Sequence, residues 1–142
     1  MRQIDMQRIL LDITTFTEPE RGGLSFFESR RDIPFEIKRV YYIYNVPSGA
    51  KRGFHAHKAT KQLLFCIQGE VNVLLNNGEE KQYALLDKPM KGLIIEDGIW
   101  HTMEFIQENS ILCVAASDYY NEDDYIRDYS IFQNFVRDGY WK

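Results

Sequence analysis

Apolar and polar residues alternate along most of this chain with the two-residue period of β-strands. Val71, Val73 and Leu75 alternate with Asn72, and positions 37, 39, 41 and 43 share one face of a segment at 35–46. Apolar segments bounded by turn residues predict further strands at 24–28, 62–67, 80–86, 92–96, 100–105 and 111–116. Between two of these segments, Asn76-Asn77-Gly78 predicts a hairpin with a type I′ turn.

Near the C-terminus the spacing of apolar residues changes to that of a helix. An amphipathic stripe at i, i+4, i+7 and i+11 is formed by Tyr125, Tyr129, Phe132 and Val136. Asn121 can cap this helix and Gly139 can end it, which predicts a helix over about 122–138. Many strands followed by one helix indicate an all-β fold, an antiparallel sandwich or barrel, with a C-terminal α-helix. We expect residues 1–142 to form a single domain.

Composition narrows the class of protein. With 44% hydrophobic and 27% charged residues, the chain has the composition of an ordinary globular protein rather than a disordered one. The net charge of −4 argues against a nucleic-acid partner. No apolar run is long enough to span a membrane, and we expect the N-terminal residues, which carry acid and base close together, not to be a secretory signal. Cys66 and Cys113 each lie within an apolar run and are expected to be free thiols, so we expect a cytoplasmic protein.

The chain has three histidines, and they lie in two short segments. His55 and His57 are two residues apart, so on a strand both imidazoles would face one surface. Gln62 follows His57 after four residues, and Gly69 follows Gln62 after six; Gly98 lies three residues before His101. In combination, this spacing resembles the two motifs of the cupins, which implies a small cupin-type, jelly-roll-like β-barrel.

Gln62 stands where cupins usually carry a carboxylate ligand, and Glu96 and Phe105 replace the usual Pro and Asn. A neutral amide brings no charge to a divalent ion, so the sequence weakens the metal hypothesis, although three histidines could still hold zinc or iron. Without a metal, imidazoles can exchange protons near neutral pH, as an enolisation or ketose isomerisation requires. The alternative is that the histidines are hydrogen-bonded structural residues of the core.

Three longer segments resemble a more specific family, the dTDP-4-keto-6-deoxy-D-glucose 3,4-ketoisomerases. They are Ile-Pro-Phe-Glu-Ile-Lys-Arg-Val-Tyr-Tyr-Ile at 33–43, Arg-Gly-Phe-His-Ala-His-Lys at 52–58, and Ala-Ser-Asp-Tyr-Tyr-Asn-Glu-Asp-Asp-Tyr-Ile-Arg at 116–127. The resemblance implies an isomerase that moves a keto group from carbon 4 to carbon 3 of a dTDP-linked 4-keto-6-deoxyhexose through an enediol, without a cofactor. It also implies a homodimer with exchanged N-terminal strands.

The resemblance also assigns roles to residues. His55 and His57 would move protons, one as the base and the other as the donor or relay, and Tyr41 would assist them. The substrate-binding residues would be Arg39, Arg52, Lys58, Gln62, Arg21 and His101. Arg21 and His101 match family members whose product has the galacto configuration, and that product would supply a 3-amino-3,6-dideoxyhexose for lipopolysaccharide or S-layer glycan. Two other hypotheses remain, a metal-dependent cupin enzyme and a non-catalytic sugar-binding cupin.

Overall fold

Two antiparallel sheets, packed face to face, form the body of the protein. The computed structural model describes all 142 residues. The strands are β1 (Leu10–Asp12), β2 (Thr14–Glu18), β3 (Gly22–Phe26), β4 (Arg39–Ile43), β5 (Lys51–His57), β6 (Gln62–Gln68), β7 (Val71–Asn76), β8 (Lys81–Leu86), β9 (Lys91–Ile95), β10 (Trp100–Phe105), β11 (Ile111–Ala116) and β12 (Tyr125–Ile126). A short helix α1 (Met6–Ile9) precedes them, and helix α2 (Tyr129–Arg137) follows them. The all-β architecture with a C-terminal helix is therefore confirmed.

The order of the strands places the predicted site residues on both sheets. One sheet has the order β1-β9-β6-β11-β4, and the other has the order β12-β5-β10-β7-β8. Strands β5 and β10, which carry the histidines, are direct neighbours, while β4 and β6, which carry Arg39, Tyr41 and Gln62, belong to the facing sheet. The hairpin β2–β3 forms a separate two-stranded sheet.

Alternation along the strands builds the main core between the two sheets. In β7 the side chains of Val71, Val73 and Leu75 are buried, as the sequence period predicts. Leu93 and Phe105 complete this core from β9 and β10 and are fully buried. Each such side chain contributes about 1.5–3 kcal/mol to folding through the removal of apolar surface from water.

A second, smaller core lies between α2 and the outer side of β5. Phe132 is fully buried and packs its ring against Trp100 and Trp141. The indole Nε1 of Trp141 donates a hydrogen bond of 3.0 Å to the carbonyl of Lys58, directly after β5. This cluster fixes the end of the strand that carries His55 and His57.

The predicted helix over 122–138 is wrong at its start. Asn121 caps a 3₁₀ turn at Glu122–Asp124, and helix α2 begins only after Asp128, whose carboxylate accepts hydrogen bonds from the amides of Ser130 and Ile131. The intervening residues form β12, in which Tyr125 pairs with His57. The amphipathic stripe made the predicted helix begin too early, because it counted Tyr125 as part of a helix. Tyr125 is half-buried in a strand that pairs with β5.

The hairpin β7–β8 is confirmed, but its turn is not the predicted two-residue type I′. Four residues connect the strands, and the Asn77 side chain accepts hydrogen bonds from the amides of Glu79 and Glu80. Of the turn residues, Gly78 alone has a positive φ, of 104°.

Both cysteines are free thiols, as expected. The longest helix has nine residues, and no helix is long and apolar enough to cross a membrane.

Candidate active site

All three histidines meet in one cluster between the sheets. Strands β5 and β10 pair so that His101 lies opposite His55. The ring centroids of these two residues are 4.6 Å apart, and the ring of His57 lies 5.0 Å from that of His55 and 6.0 Å from that of His101. The side chains are buried, with 8% of His55 and 1% each of His57 and His101 exposed. The structure thus brings together two segments that are more than forty residues apart in sequence.

Hydrogen bonds fix how two of the imidazoles carry their protons. His57 Nδ1 lies 2.8 Å from a carboxylate oxygen of Asp124, and His101 Nδ1 lies 3.0 Å from the carbonyl oxygen of Ile99. Because an ionised carboxylate and a carbonyl can only accept, each Nδ1 carries the proton. In the neutral rings, Nε2 of His57 and of His101 therefore has a lone pair, and Nε2 of His57 has no hydrogen-bond partner in the protein.

Burial keeps His55 and His101 uncharged at neutral pH, because it lowers the pKa of both. Desolvation, reinforced by the neighbouring His57, lowers the pKa of His55 from 6.5 to about 4. Desolvation and the other two imidazoles lower the pKa of His101 well below its ordinary value. Both rings are therefore free bases near pH 7, which makes them competent to accept a proton from a carbon acid.

The cluster opens into a cavity of about 280 Å³. The cavity is lined by residues from both sheets and from the segment before α2: Arg39, Tyr41, Ile43, Arg52, Gly53, His55, Met103, Tyr120, Tyr125 and Arg127. Three arginines, one imidazole and three phenols in one cavity suit a polar, anionic ligand such as a sugar diphosphate.

Tyr41 faces the histidines as a proton donor. Its hydroxyl oxygen accepts a hydrogen bond of 2.8 Å from Nε2 of the buried Gln62. Burial raises the pKa of Tyr41 to about 12, in spite of nearby Arg39 and Arg52, so the phenol keeps its proton at neutral pH. Since Gln62 occupies a lone pair of the oxygen, the hydroxyl hydrogen is available to a substrate oxygen. Gln62 thus orients Tyr41.

Of the other predicted substrate-binding residues, two line the cavity and two lie outside it. Arg39 lies over the Tyr41 ring at 5.3 Å, and Arg52 lines the same cavity. Lys58 instead lines a neighbouring groove, with its ammonium 5.7 Å from the centre of the Phe135 ring. Arg21 lies at the tip of the hairpin β2–β3, where it pairs with Glu18 and is not brought to the histidines.

Sequence reasoning missed four residues around the site: Tyr120, Asp124, Tyr125 and Arg127. The Tyr125 ring lies 4.4 Å from that of His57, and the Arg127 guanidinium lies 4.4 Å from the Tyr125 ring. They lie in the segment 116–127 that carries the family resemblance, but the helical stripe assigned this region to a helix. The pairing of β12 with β5 is what brings them to the cavity.

The cluster could also hold a metal ion. One ring nitrogen from each histidine lies within 4.8 Å of the others. Such a set matches the three-histidine sites of zinc enzymes, which keep a fourth position open. Gln62 would add no charge there; its Nε2 donates to Tyr41, whereas its Oε1, the amide atom that binds metal ions, is buried without a hydrogen-bond partner.

We expect the protein to lose stability as the pH falls from about 6.5 towards 4. In this interval His55 takes up a proton in the unfolded chain but not in the folded one, so acidification favours unfolding. His101 acts in the same direction. Chemical denaturation at several pH values should show this loss, and a smaller one for His55→Asn. An NMR titration midpoint for His55 near 6.5 would contradict the assignment.

A protein-family model and a related protein each match most of this chain. The family model "FdtA: WxcM-like, C-terminal" matches residues 5–137. The TDP-4-oxo-6-deoxy-alpha-D-glucose-3,4-oxoisomerase of Aneurinibacillus thermoaerophilus is 43% identical over 116 residues, which cover 82% of this chain and 84% of that protein.

Solved structures of 3,4-ketoisomerases also match this chain over most of its length. A 3,4-ketoisomerase from Helicobacter canadensis matches with a TM-score of 0.86 and 39% identity, over 90% of this chain and 96% of its own. The 3,4-ketoisomerase QdtA from Thermoanaerobacterium thermosaccharolyticum matches as a TDP complex of a double mutant, with a TM-score of 0.88 and 38% identity, over 94% of this chain and 96% of its own. A histidine-to-asparagine mutant of QdtA, solved with TDP-4-keto-6-deoxyglucose, matches with the same TM-score, 35% identity and the same coverage.

Proposed function

This chain belongs to the FdtA family of sugar 3,4-ketoisomerases, and on that premise we propose that it converts dTDP-4-keto-6-deoxy-D-glucose into a dTDP-3-keto-6-deoxyhexose. The observation that carries this proposal is one cavity that joins the neutral imidazole of His55, a member of the buried histidine cluster, with Tyr41 and three arginines. A free imidazole beside a protonated phenol supplies the base and the oxygen-directed donor that an enolisation needs.

The reaction has two halves, enolisation and ketonisation, each of which moves one proton at a carbon and one at an oxygen, with no net change in redox state. An imidazole removes the proton from carbon 3, the C–H electrons form a C3–C4 double bond, and the carbonyl oxygen on carbon 4 becomes a hydroxyl. The resulting enediol loses the proton of its carbon 3 hydroxyl and gains one at carbon 4, which leaves the keto group on carbon 3. We assign the carbon 3 proton to His55, which lines the cavity, and the donor or relay role to His57.

Other residues bind and orient the substrate. Arg39 and Arg52 present guanidinium groups suited to a diphosphate, since each can donate two parallel hydrogen bonds. Tyr41, held by Gln62, donates to the sugar oxygen that becomes negative in the transition state. Lys58 lies beside the cavity rather than in it, where it can contact a part of the nucleotide that extends from the site.

We expect His55→Asn and His57→Asn each to reduce kcat about 100-fold or more, because each removes a proton carrier. Turnover is measured by NMR of the dTDP-sugar, with Tyr83→Phe on the exposed face of β8 as a control. Near-normal rates in both histidine variants would contradict the assigned roles. Loss of wild-type activity on chelation would instead support a metal-dependent cupin enzyme, and an unchanged sugar with wild-type protein would support a non-catalytic sugar-binding cupin.

The product we propose has the galacto configuration at carbon 4. The QdtA double mutant replaces a tyrosine by arginine and an arginine by histidine at positions 80 residues apart, and Arg21 and His101 of this chain have the same separation. This chain therefore carries naturally the pair of residue types that the mutant introduces. We propose that the product then passes to an aminotransferase and an acetyltransferase in the cytoplasm, towards a 3-amino-3,6-dideoxyhexose of lipopolysaccharide or S-layer glycan.

Coupling the reaction to a 3-aminotransferase should give a stable amino sugar whose carbon 4 configuration NMR can read. We expect the galacto product from the wild type and a shift towards the gluco product when Arg21→Tyr and His101→Arg are combined, because these side chains select the face of the enediol that is protonated. A gluco product from the wild type would contradict the proposal.

A homodimer with exchanged N-terminal strands would explain how Arg21 can contact a substrate, although within one chain it lies away from the histidines. Within one chain strand β3 is exposed along its length, and the apolar side chains of Phe16 and Leu24 in this hairpin are 62% and 60% exposed. Apolar side chains in such a hairpin are typical of a surface that pairs with another chain. In the dimer we propose, this hairpin lies against the second copy and carries Arg21 towards that copy's cavity.

Sedimentation equilibrium should give a dimer for the wild type and a monomer for Leu24→Asp, because a buried charge without a partner disfavours association. Tyr83→Asp, which adds the same charge on an exposed residue of β8, should remain a dimer. A monomeric wild type at micromolar concentration would contradict the exchange.

A further inference from the structure

Asp124 is the carboxylate that contacts the histidine cluster. Its Oδ2 lies 2.8 Å from His57 Nδ1, and its Oδ1 accepts a 2.8 Å hydrogen bond from the amide of Ala59. The side chain of Thr60 also donates to this carboxylate. The backbone carbonyl of Asp124 accepts a 2.8 Å hydrogen bond from the amide of Lys58. Asp124 is thus held against the end of β5 by both its side chain and its backbone.

The surroundings keep this carboxylate ionised. Burial alone would raise its pKa, but the hydrogen bonds from His57, Thr60 and Ala59 outweigh burial and hold it well below the ordinary value of 3.8. No lysine or arginine pairs with it, so His57 is its one titratable partner. Any positive charge that develops on His57 is therefore compensated by Asp124.

The geometry leaves Nε2 of His57 as the nitrogen that acts on protons. With Nδ1–H held by Asp124, the lone pair of the neutral ring lies on Nε2, which is buried without a hydrogen-bond partner. The opposite tautomer would place a lone pair on Nδ1 against a negative oxygen, which is repulsive. When His57 takes up a proton, the adjacent carboxylate stabilises the imidazolium, whereas the neighbouring imidazoles disfavour it.

We propose that Asp124 is a positioning residue of the isomerisation, which holds His57 in the tautomer with Nε2 free and stabilises its protonated form during proton transfer. This inference deepens the proposed function and rests on it. It also gives the two histidines of β5 different tasks, because His55 has no carboxylate partner and lines the cavity, while His57 is paired and lies deeper.

The experiment compares Asp124→Asn with Thr60→Ala. The first replaces the carboxylate by a neutral amide of the same shape, and the second removes a different hydrogen bond to Asp124 and leaves His57 paired. For Asp124→Asn we expect kcat to fall about 100-fold with KM changed less than about threefold, and Asp124→Glu to recover part of the loss. For Thr60→Ala we expect kcat within about threefold of the wild type.

A spectroscopic readout on the ligand-free protein separates this inference from the proposed function. The ¹⁵N shifts of His57 should show a protonated Nδ1 in the wild type and in Thr60→Ala, and a loss of this single tautomer in Asp124→Asn. These shifts are measured without substrate, so they do not depend on the isomerisation. A wild type that fails to isomerise the sugar would therefore contradict the proposed function but not the tautomer of His57. Asp124 as a positioning residue would be overturned by an Asp124→Asn variant that keeps the tautomer or the wild-type kcat, or by an equal loss in Thr60→Ala.

Discussion

The burial of three imidazoles at one point between two sheets is the constraint on which the rest of the site depends. Water would hydrate and partly protonate such rings, whereas the interior lowers the pKa of His55 to about 4 and that of His101 well below its ordinary value. Neutral bases at physiological pH follow directly from this burial. The same burial makes the cluster costly to protonate, so any proton that enters it must be compensated, and Asp124 is the carboxylate in position to do so.

The two sheets contribute complementary chemistry. Strands β5 and β10 of one sheet supply the bases, and β4 and β6 of the other supply Arg39, Tyr41 and the orienting Gln62. The cavity between them therefore has His55 and Arg52 of β5 on one wall and Arg39 and Tyr41 of β4 on the other. The two apolar cores hold this geometry, because the main core fixes the spacing of the sheets and the aromatic cluster around Phe132 fixes the end of β5.

Local signals predicted most of the fold and part of the site. The period of two identified the strands around Val71–Leu75, and the two-residue spacing of His55 and His57 predicted that both rings face one surface. The helical stripe failed at Tyr125, because a half-buried aromatic residue gives the same apolar signal on a short strand as on a helix. Asp124 and Tyr125 were missed for that reason, since an acidic run before a helix reads as a solvated N-terminus until β12 is seen to pair with β5.

The sequence by itself determined which segments form most of the strands, which residues on them are apolar, which segments resemble the ketoisomerases, and which residues are the candidate proton carriers. These depend on local periodicity and on residue types at fixed spacings, which a chain carries whether folded or not. The tertiary structure alone decided that His101 meets His55, that Gln62 donates to Tyr41, that Asp124 pairs with His57 and that Arg21 lies away from its own cavity. Each of these is a contact between distant segments, set by strand pairing and burial, which no local pattern encodes.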